Sequence, residues 1–197
     1  MNAVDLASLL CSRLCHDLMS PVGALSNGIE LLADSARTTA NKLKFFRLAF
    51  GAAGGFGTEI DTGEAESVLR GLFGPEKRIE LGWAVSDGRL PKGAVKLLLN
   101  LGMIAGDALV RGGRLDVGAE SSGETIELVI RAEGPRVIID PLLRETLTKG
   151  VGDGPVEPRA AGAWLAHALA AEGGGTIRLS DPADELLMIG ATISRQG

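Results

Sequence analysis

The segment from Cys11 to Leu32, CSRLCHDLMSPVGALSNGIELL, constrains the fold of this chain more than any other. Apolar residues recur in it at spacings of three and four, which is the period of one buried stripe on a long helix. The stripe consists of Cys11, Leu14, Leu18, Val22, Leu25, Ile29 and Leu32. The pattern therefore predicts a helix from about Leu6 to Ala33, capped by Asp5, with one face committed to burial.

A second row of small and polar residues lies off this stripe and carries a histidine. His16 stands in that row, whose other members are Ser12, Ser20, Gly23 and Asn27. Small neighbours leave the imidazole solvated and open to an approaching partner. Arg13 comes three residues before His16, within reach of an anion held on that ring. We therefore predict that this face of the helix is the functional one.

The run His16-Asp17-x-x-Ser20-Pro21 identifies a family resemblance. It resembles the phospho-accepting box of the dimerisation and histidine phosphotransfer domain of two-component sensor kinases. The wider string LCSRLCHDLMSPVGALSNGIELL is similar to the ChpT-type histidine phosphotransferases, which relay phosphoryl groups without ATP. The resemblance implies that His16 is the nucleophile and that Asp17 orients or deprotonates its ring. Ser20 occupies the place where kinases with phosphatase activity often carry Thr or Asn.

A second helix is predicted to follow the first after a short turn. The turn falls at Asp34-Ser35, and the helix runs from about Thr38 to Gly54. An antiparallel hairpin of this kind leaves its apolar stripe uncovered, including Leu43, Phe46 and Phe50. A second copy of the chain would cover it. We therefore predict a homodimer whose four-helix bundle is built from two such hairpins.

The glycine-rich stretch 51–63 separates this hairpin from the rest of the chain. We assign residues 1–62 to the helical hairpin and residues 63–197 to a second domain, so that the fold class is α+β. Beyond a helix that begins near Glu64, the patterns predict strands at 78–85, 114–120, 125–132, 176–179 and 186–193, and helices at 91–109, 141–149 and 159–171. This order resembles the ATPase-like α/β sandwich of histidine kinases.

The nucleotide motifs of that kinase domain are mostly replaced in this chain. Kinases carry an acid and two asparagines on one helix, and here Lys96, Asn100 and Ile104 stand at those positions. The loop that resembles Asp-x-Gly-x-Gly reads AEGPR at Ala132–Arg136, and only Gly162 is left of the Gly-rich lid. A phosphate cradle and metal ligands are what transfer from ATP requires. We therefore expect no cofactor and no resident metal, with magnesium supplied by the partner receiver domain.

Composition and cysteine usage exclude other classes of function. A net charge of −5 without a basic stripe argues against nucleic-acid binding, and no apolar run reaches the roughly 18 residues that span a bilayer. Residues 1–10 do not resemble a secretory signal, so we expect a cytoplasmic protein. Cys11 and Cys15, with His16 or His167, fall short of the four ligands of a structural zinc site; we interpret the cysteines as reduced apolar residues and His167 as a surface or cap-proximal side chain.

The resemblance and the motifs together predict a histidine phosphotransferase in a two-component phosphorelay. His16 would accept a phosphoryl group from a receiver-domain aspartyl phosphate of a hybrid histidine kinase and pass it to the aspartate of a response regulator. Two alternatives stay open at this point. One is an active ATP-dependent histidine kinase, and the other is a scaffold that binds receivers without accepting phosphate.

Overall fold

The computed structural model describes the backbone of residues 3–51, 58–73, 77–151 and 155–195, and within these ranges the side chains from Leu25 onward except Ser26. It divides into two compact units, Met1–Ala40 and Asn41–Gly197. The sequence-based boundary between residues 62 and 63 stays a prediction. The compact units part earlier in the chain because the end of the first helix packs into the second unit, where three of its residues are buried. These are Phe45, Leu48 and Ala49.

The first helix, α1, is continuous from Ala3 to Phe50. The predicted turn at Asp34-Ser35 is therefore wrong, and so is the antiparallel hairpin within one chain. No glycine or proline interrupts residues 33–50, and both residues of the predicted turn accept a hydrogen bond from a side chain one turn later in the helix. Arg37 Nη1 donates to Asp34 Oδ1 at 3.0 Å, and Thr39 Oγ1 donates to the Ser35 carbonyl oxygen at 2.9 Å. The helix also runs through Pro21, as the apolar pattern predicted.

The rest of the chain alternates strands and helices. The elements are β1 (Glu59–Asp61), α2 (Thr62–Phe73), β2 (Ile79–Val85), β3 (Arg89–Pro91), α3 (Lys92–Ala108), β4 (Gly113–Ser122), β5 (Thr125–Glu133), α4 (Pro141–Lys149), α5 (Ala161–Glu172), β6 (Ile177–Leu179) and β7 (Leu187–Ser194). β1 and β3 form a small antiparallel sheet that the sequence did not predict. The larger sheet has five strands in the order β2-β4-β5-β7-β6.

The five-stranded sheet is mostly antiparallel, as predicted. β2 and β4 pair in parallel, and every other pairing in it is antiparallel. Alternate residues of its central strands are buried, which is the strand period of two. Helix α3 is buried along most of its length from Ala94 to Ala108. Together with the buried residues of the central strands it forms the core. The second unit is thus a layered α/β sandwich.

Two glycines of α3 allow α2 to pack closely against it. A Cβ on Gly102 would lie 3.0 Å from Leu69 Cδ2, and one on Gly106 would lie 2.2 Å from Phe73 Cζ. Leu69 and Phe73 are themselves buried. The small residues therefore set the spacing between α2 and α3, in a core packed too densely to accept an added methyl group.

Candidate functional site

The predicted phosphoacceptor row lies on α1. The backbone of His16 is helical, as is that of the other candidate residues Ser12, Arg13, Asp17, Ser20, Gly23 and Asn27. On a helix, positions three and four apart are neighbours, so Arg13 and Ser20 flank His16 along one side. Asn27 is exposed, and the side chains of the other members lie outside the described residues. Their chemical roles therefore stay predictions.

The described part of the apolar stripe of α1, from Leu25 onward, is exposed. Leu25 is 68% exposed, Ile29 66% and Leu32 73%, all at positions that the spacing predicted to be buried. Leu43, Phe46 and Phe50 are also exposed further along the helix. Large apolar side chains repeated along one face of a helix are typical of a surface that associates with a partner.

Asn100, which the sequence resemblance assigns to an asparagine position of the kinase nucleotide site, is completely buried. Its Nδ2 donates to the carbonyl oxygen of Ala49 at 3.3 Å and to that of Lys96 at 2.8 Å. Its Oδ1 is buried without a hydrogen-bond partner among the described residues. The last carbonyl groups of a helix lack partners within the helix, so Asn100 satisfies one at the end of α1. The amide therefore joins α1 to α3.

The other kinase positions lack the groups that bind nucleotide and metal. Lys96 is half-buried where the acid would stand, and Ile104 is buried where the second asparagine would stand. Ala132, at the place of the adenine-binding aspartate, is completely buried and has no carboxylate. Magnesium prefers oxygen ligands and phosphate, and these three side chains offer neither donor nor charge of the required kind.

The glycines that remain of the nucleotide loops have packing roles. A Cβ on Gly134 would lie 2.5 Å from the carbonyl oxygen of Gly112, so this glycine permits two backbone segments to cross. A Cβ on Gly162 would lie 3.2 Å from Met103 Cε and 3.5 Å from Asn100 Oδ1. Gly162 therefore lets α5 approach α3, which accounts for its presence without a bound phosphate.

His167 has a structural environment. Its Nδ1 lies 3.1 Å from the carbonyl oxygen of Leu147, and because a carbonyl only accepts, this nitrogen carries the proton. A Cβ on Gly150 would lie 2.8 Å from Nε2 of the same ring. The half-buried imidazole thus connects α5 to the last turn of α4.

The described part of the chain has no cluster of three or more His, Cys, Asp or Glu side chains that could hold a metal ion. Cys11 and Cys15, whose metal-binding capacity was considered from the sequence, have side chains outside the described residues. Within the same described part, no helix is long and apolar enough to cross a membrane.

Sequence reasoning missed the contact between Asn100 and Ala49. The two residues are separated by 51 positions. Every residue has a backbone carbonyl group, so the sequence does not indicate which one accepts the bond. The available signal was indirect: Asn100 is a polar residue in an apolar stretch of α3, between Lys96 and Ile104. A polar residue among leucines on a buried helix indicates a specific partner.

The second unit has the fold of a histidine-kinase-like ATPase sandwich. The catalytic domain of histidine kinase ThkA superposes with a TM-score of 0.52 at 18% identity, covering 70% of this chain and 95% of that one. This likeness concerns the fold alone. The model for the histidine phosphotransferase C-terminal domain matches residues 62–185.

The chain belongs to the histidine phosphotransferase family. It is 38% identical to the protein phosphotransferase ChpT of Brucella abortus (strain 2308), over 95% of both chains. A solved bacterial phosphotransferase superposes with a TM-score of 0.70 at 35% identity, covering 97% of both chains. The resemblance to ChpT-type proteins predicted from the HDLMSP segment is therefore confirmed, and the protein is a phosphotransferase.

Proposed function

We propose that this phosphotransferase relays phosphoryl groups between receiver domains through His16 and does so without ATP. The observation that carries the proposal is the 38% identity to ChpT over 95% of both chains. The His16-Asp17-x-x-Ser20-Pro21 run on α1 supplies the nucleophile. Partners of this relay are the receiver domains of a hybrid histidine kinase and of response regulators.

The relay is a pair of displacement reactions at phosphorus. An imidazole nitrogen of His16 attacks the aspartyl phosphate of the donor, the P–N bond forms, and the P–O bond to the aspartate carboxylate breaks. The acceptor aspartate then attacks the phosphohistidine, and the ring regains a free nitrogen. Positioning and charge neutralisation account for most catalysis of this type. Magnesium on the receiver provides the charge neutralisation. Asp17 would orient the ring or accept its proton.

The altered nucleotide positions support ATP independence. Asn100 is engaged by two carbonyl groups, and Ala132 offers no carboxylate to an adenine. Lys96 replaces the acid that would help hold magnesium. A phosphoryl donor other than ATP is therefore required, and an aspartyl phosphate supplies the same group on a protein partner.

We also infer that the protein is a homodimer formed through α1. The exposed stripe residues Leu25, Ile29 and Leu32 support this because an identical stripe on a second copy would cover them. In this dimer the continuous α1 of one protomer packs against α1 of the other without a change in conformation. A four-helix bundle would instead require each helix to fold back on itself.

The test measures transfer of labelled phosphate. Purified protein is incubated with a labelled phospho-receiver, and separately with labelled ATP and magnesium, beside a His16→Ala variant. Label gained from the receiver and lost with His16→Ala is the expected result. Label gained from ATP would instead identify an active kinase, and absence of label from both donors would identify a scaffold that binds receivers.

A further inference from the structure

A basic groove lies on the second unit. Its residues come later in the sequence than the helix that carries the predicted phosphoacceptor. It has a volume of about 660 Å³ and is lined by residues 77–78, 106–107, 109–112 and Pro135. Among the described residues that line it, Lys77, Arg78 and Arg111 are cationic and Asp107 carries a carboxylate. In a chain whose net charge is −5, this concentration of positive charge is unusual. We name this surface the basic groove.

Only one of the three cations is neutralised by a neighbour that the structure describes. Lys77 forms an ion pair with Asp107, and its ammonium group also lies 5.4 Å from the centroid of the Phe73 ring. Among the described residues, the side chains of Arg78 and Arg111 have no ion-pair or hydrogen-bond partner, and both residues are exposed. Two guanidinium groups are therefore available to an anionic ligand.

Arg78 is held in a backbone conformation that glycine would adopt more easily. Its φ is 52°, the one positive φ of a non-glycine residue in the described chain. The Gly113 amide donates to the Arg78 carbonyl oxygen at 3.1 Å, and a Cβ on Gly112 would lie 2.6 Å from that oxygen. The crossing of these segments imposes the conformation. Strained backbone conformations of this kind concentrate at functional sites, so Arg78 is a candidate binding residue.

The groove also has exposed apolar side chains in its lining. Val110 is 55% exposed, and Pro135 is exposed on the opposite segment. Guanidinium groups bind carboxylates through two parallel hydrogen bonds, and a leucine-sized side chain would cover Val110. A ligand that combines carboxylates with an apolar side chain matches the charges and the exposed apolar residues of this lining.

We propose that the basic groove binds an acidic segment of a partner protein. Carboxylates of the segment pair with Arg78 and Arg111, and an apolar side chain lies on Val110 and Pro135. This is a second contact surface, beyond the transfer of phosphate at His16. It engages a partner through charge and is therefore weakened by salt.

The test uses fluorescence anisotropy with the full chain. The probe is a short fluorescein-labelled peptide rich in glutamate and aspartate, with leucine at its centre, and its control replaces the acids by glutamine and asparagine. Arg78→Gly and Arg111→Ala should each weaken binding of the acidic peptide about tenfold or more. Arg178→Ala, a matched loss of an exposed arginine on β6 at the far edge of the sheet, should leave it unchanged.

Thermal unfolding distinguishes a binding role of Arg78 from a structural one. Because glycine relieves the positive φ, Arg78→Gly should raise the melting temperature by about 2–4 °C while it weakens binding. Equal affinity for the acidic and neutral peptides, or unchanged affinity in both groove variants, would overturn the proposal. Binding of inorganic tripolyphosphate at Arg78 and Arg111 without binding of the peptide would also overturn it, in favour of a small polyanion.

Discussion

Asn100 joins the end of α1 to α3 through one buried amide. Its two donor hydrogens are used by the carbonyl groups of Ala49 and Lys96, while its Oδ1 is without a partner in the described chain. The orientation of the amide is therefore fixed, because a flipped group would place its oxygen against two carbonyl oxygens. Asn100, which the sequence resemblance assigns to a nucleotide-binding position of kinases, attaches the end of α1 to α3 in this structure.

Asn100→Ala should destabilise the protein because it removes the donor that Asn100 supplies to the carbonyl group of buried Ala49. A buried group left unsatisfied costs about 1–3 kcal/mol, which corresponds to a fall in melting temperature of roughly 2–12 °C for a chain of this size. Thermal unfolding followed by circular dichroism measures this. Asn27→Ala removes an exposed amide from the same helix as Ala49 and should change the melting temperature little.

A measurement of ATP binding could contradict the structural role of Asn100. If Asn100→Ala unfolded like the wild type but lost measurable affinity for ATP in a calorimetric titration, the asparagine would serve a nucleotide. We expect the reverse, a loss of stability with no heat of ATP binding in either protein.

The elements of the second unit pack through small residues at defined points. Gly106 lies beneath the Phe73 ring, and an added Cβ would come 2.2 Å from Cζ of that ring. Gly190, on β7, has no atom within 4 Å of the position where its Cβ would lie. The two glycines therefore offer a matched comparison of a packed and an open site.

Gly106→Ala should destabilise the protein by about 1–3 kcal/mol, because α2 must move or the phenyl ring must leave its rotamer. Gly190→Ala should be near neutral, since its added methyl group meets no neighbour. Urea unfolding of both variants gives the free energies. An equal effect of the two substitutions would show that contact with Phe73 does not set the spacing between α2 and α3.

The elements that sequence predicted best are those with strong periodicity. Every strand of the five-stranded sheet, and helices α3, α4 and α5, begin and end within two residues of the predicted bounds. β1 and β3 escaped prediction because strands of three residues are too short to show an alternating pattern. The turn at Asp34-Ser35 was predicted from residue preference alone, and α1 overrode it because neither glycine nor proline is present to end the helix.

The candidate site was predictable only in part. The HDLMSP segment and the stripe of α1 are local patterns, so the sequence identified the family and the helix that carries His16. The bond from Asn100 to Ala49 and the crossing at Arg78 depend on segments brought together by the fold. Such contacts are not encoded in the spacing of neighbouring residues, and they became visible only in three dimensions.

At the scale of the whole molecule, α1 contributes residues to both units. Its last turns belong to the core of the second unit, while Leu25, Ile29 and Leu32 form a row of apolar surface that no described residue covers. Burial of such side chains contributes about 1.5–3 kcal/mol each, and a symmetric dimer counts every one of them twice. The proposed homodimer therefore follows from the same periodicity that organises the sequence.

The dimer is tested by placing charge on this stripe. Ile29→Glu combined with Leu32→Glu should weaken self-association by roughly a hundredfold or more, because burial is lost and four carboxylates would meet at the interface. Analytical ultracentrifugation should give twice the 20.4 kDa chain mass for the wild type and the chain mass for the double variant. Glu30→Gln, at an exposed position between the two, is the matched control and should remain dimeric. A wild type that sediments at the mass of one chain across the micromolar range would contradict the proposal, and so would a double variant with unchanged association. A cooperative thermal transition retained by the double variant excludes unfolding as the cause of its weaker association.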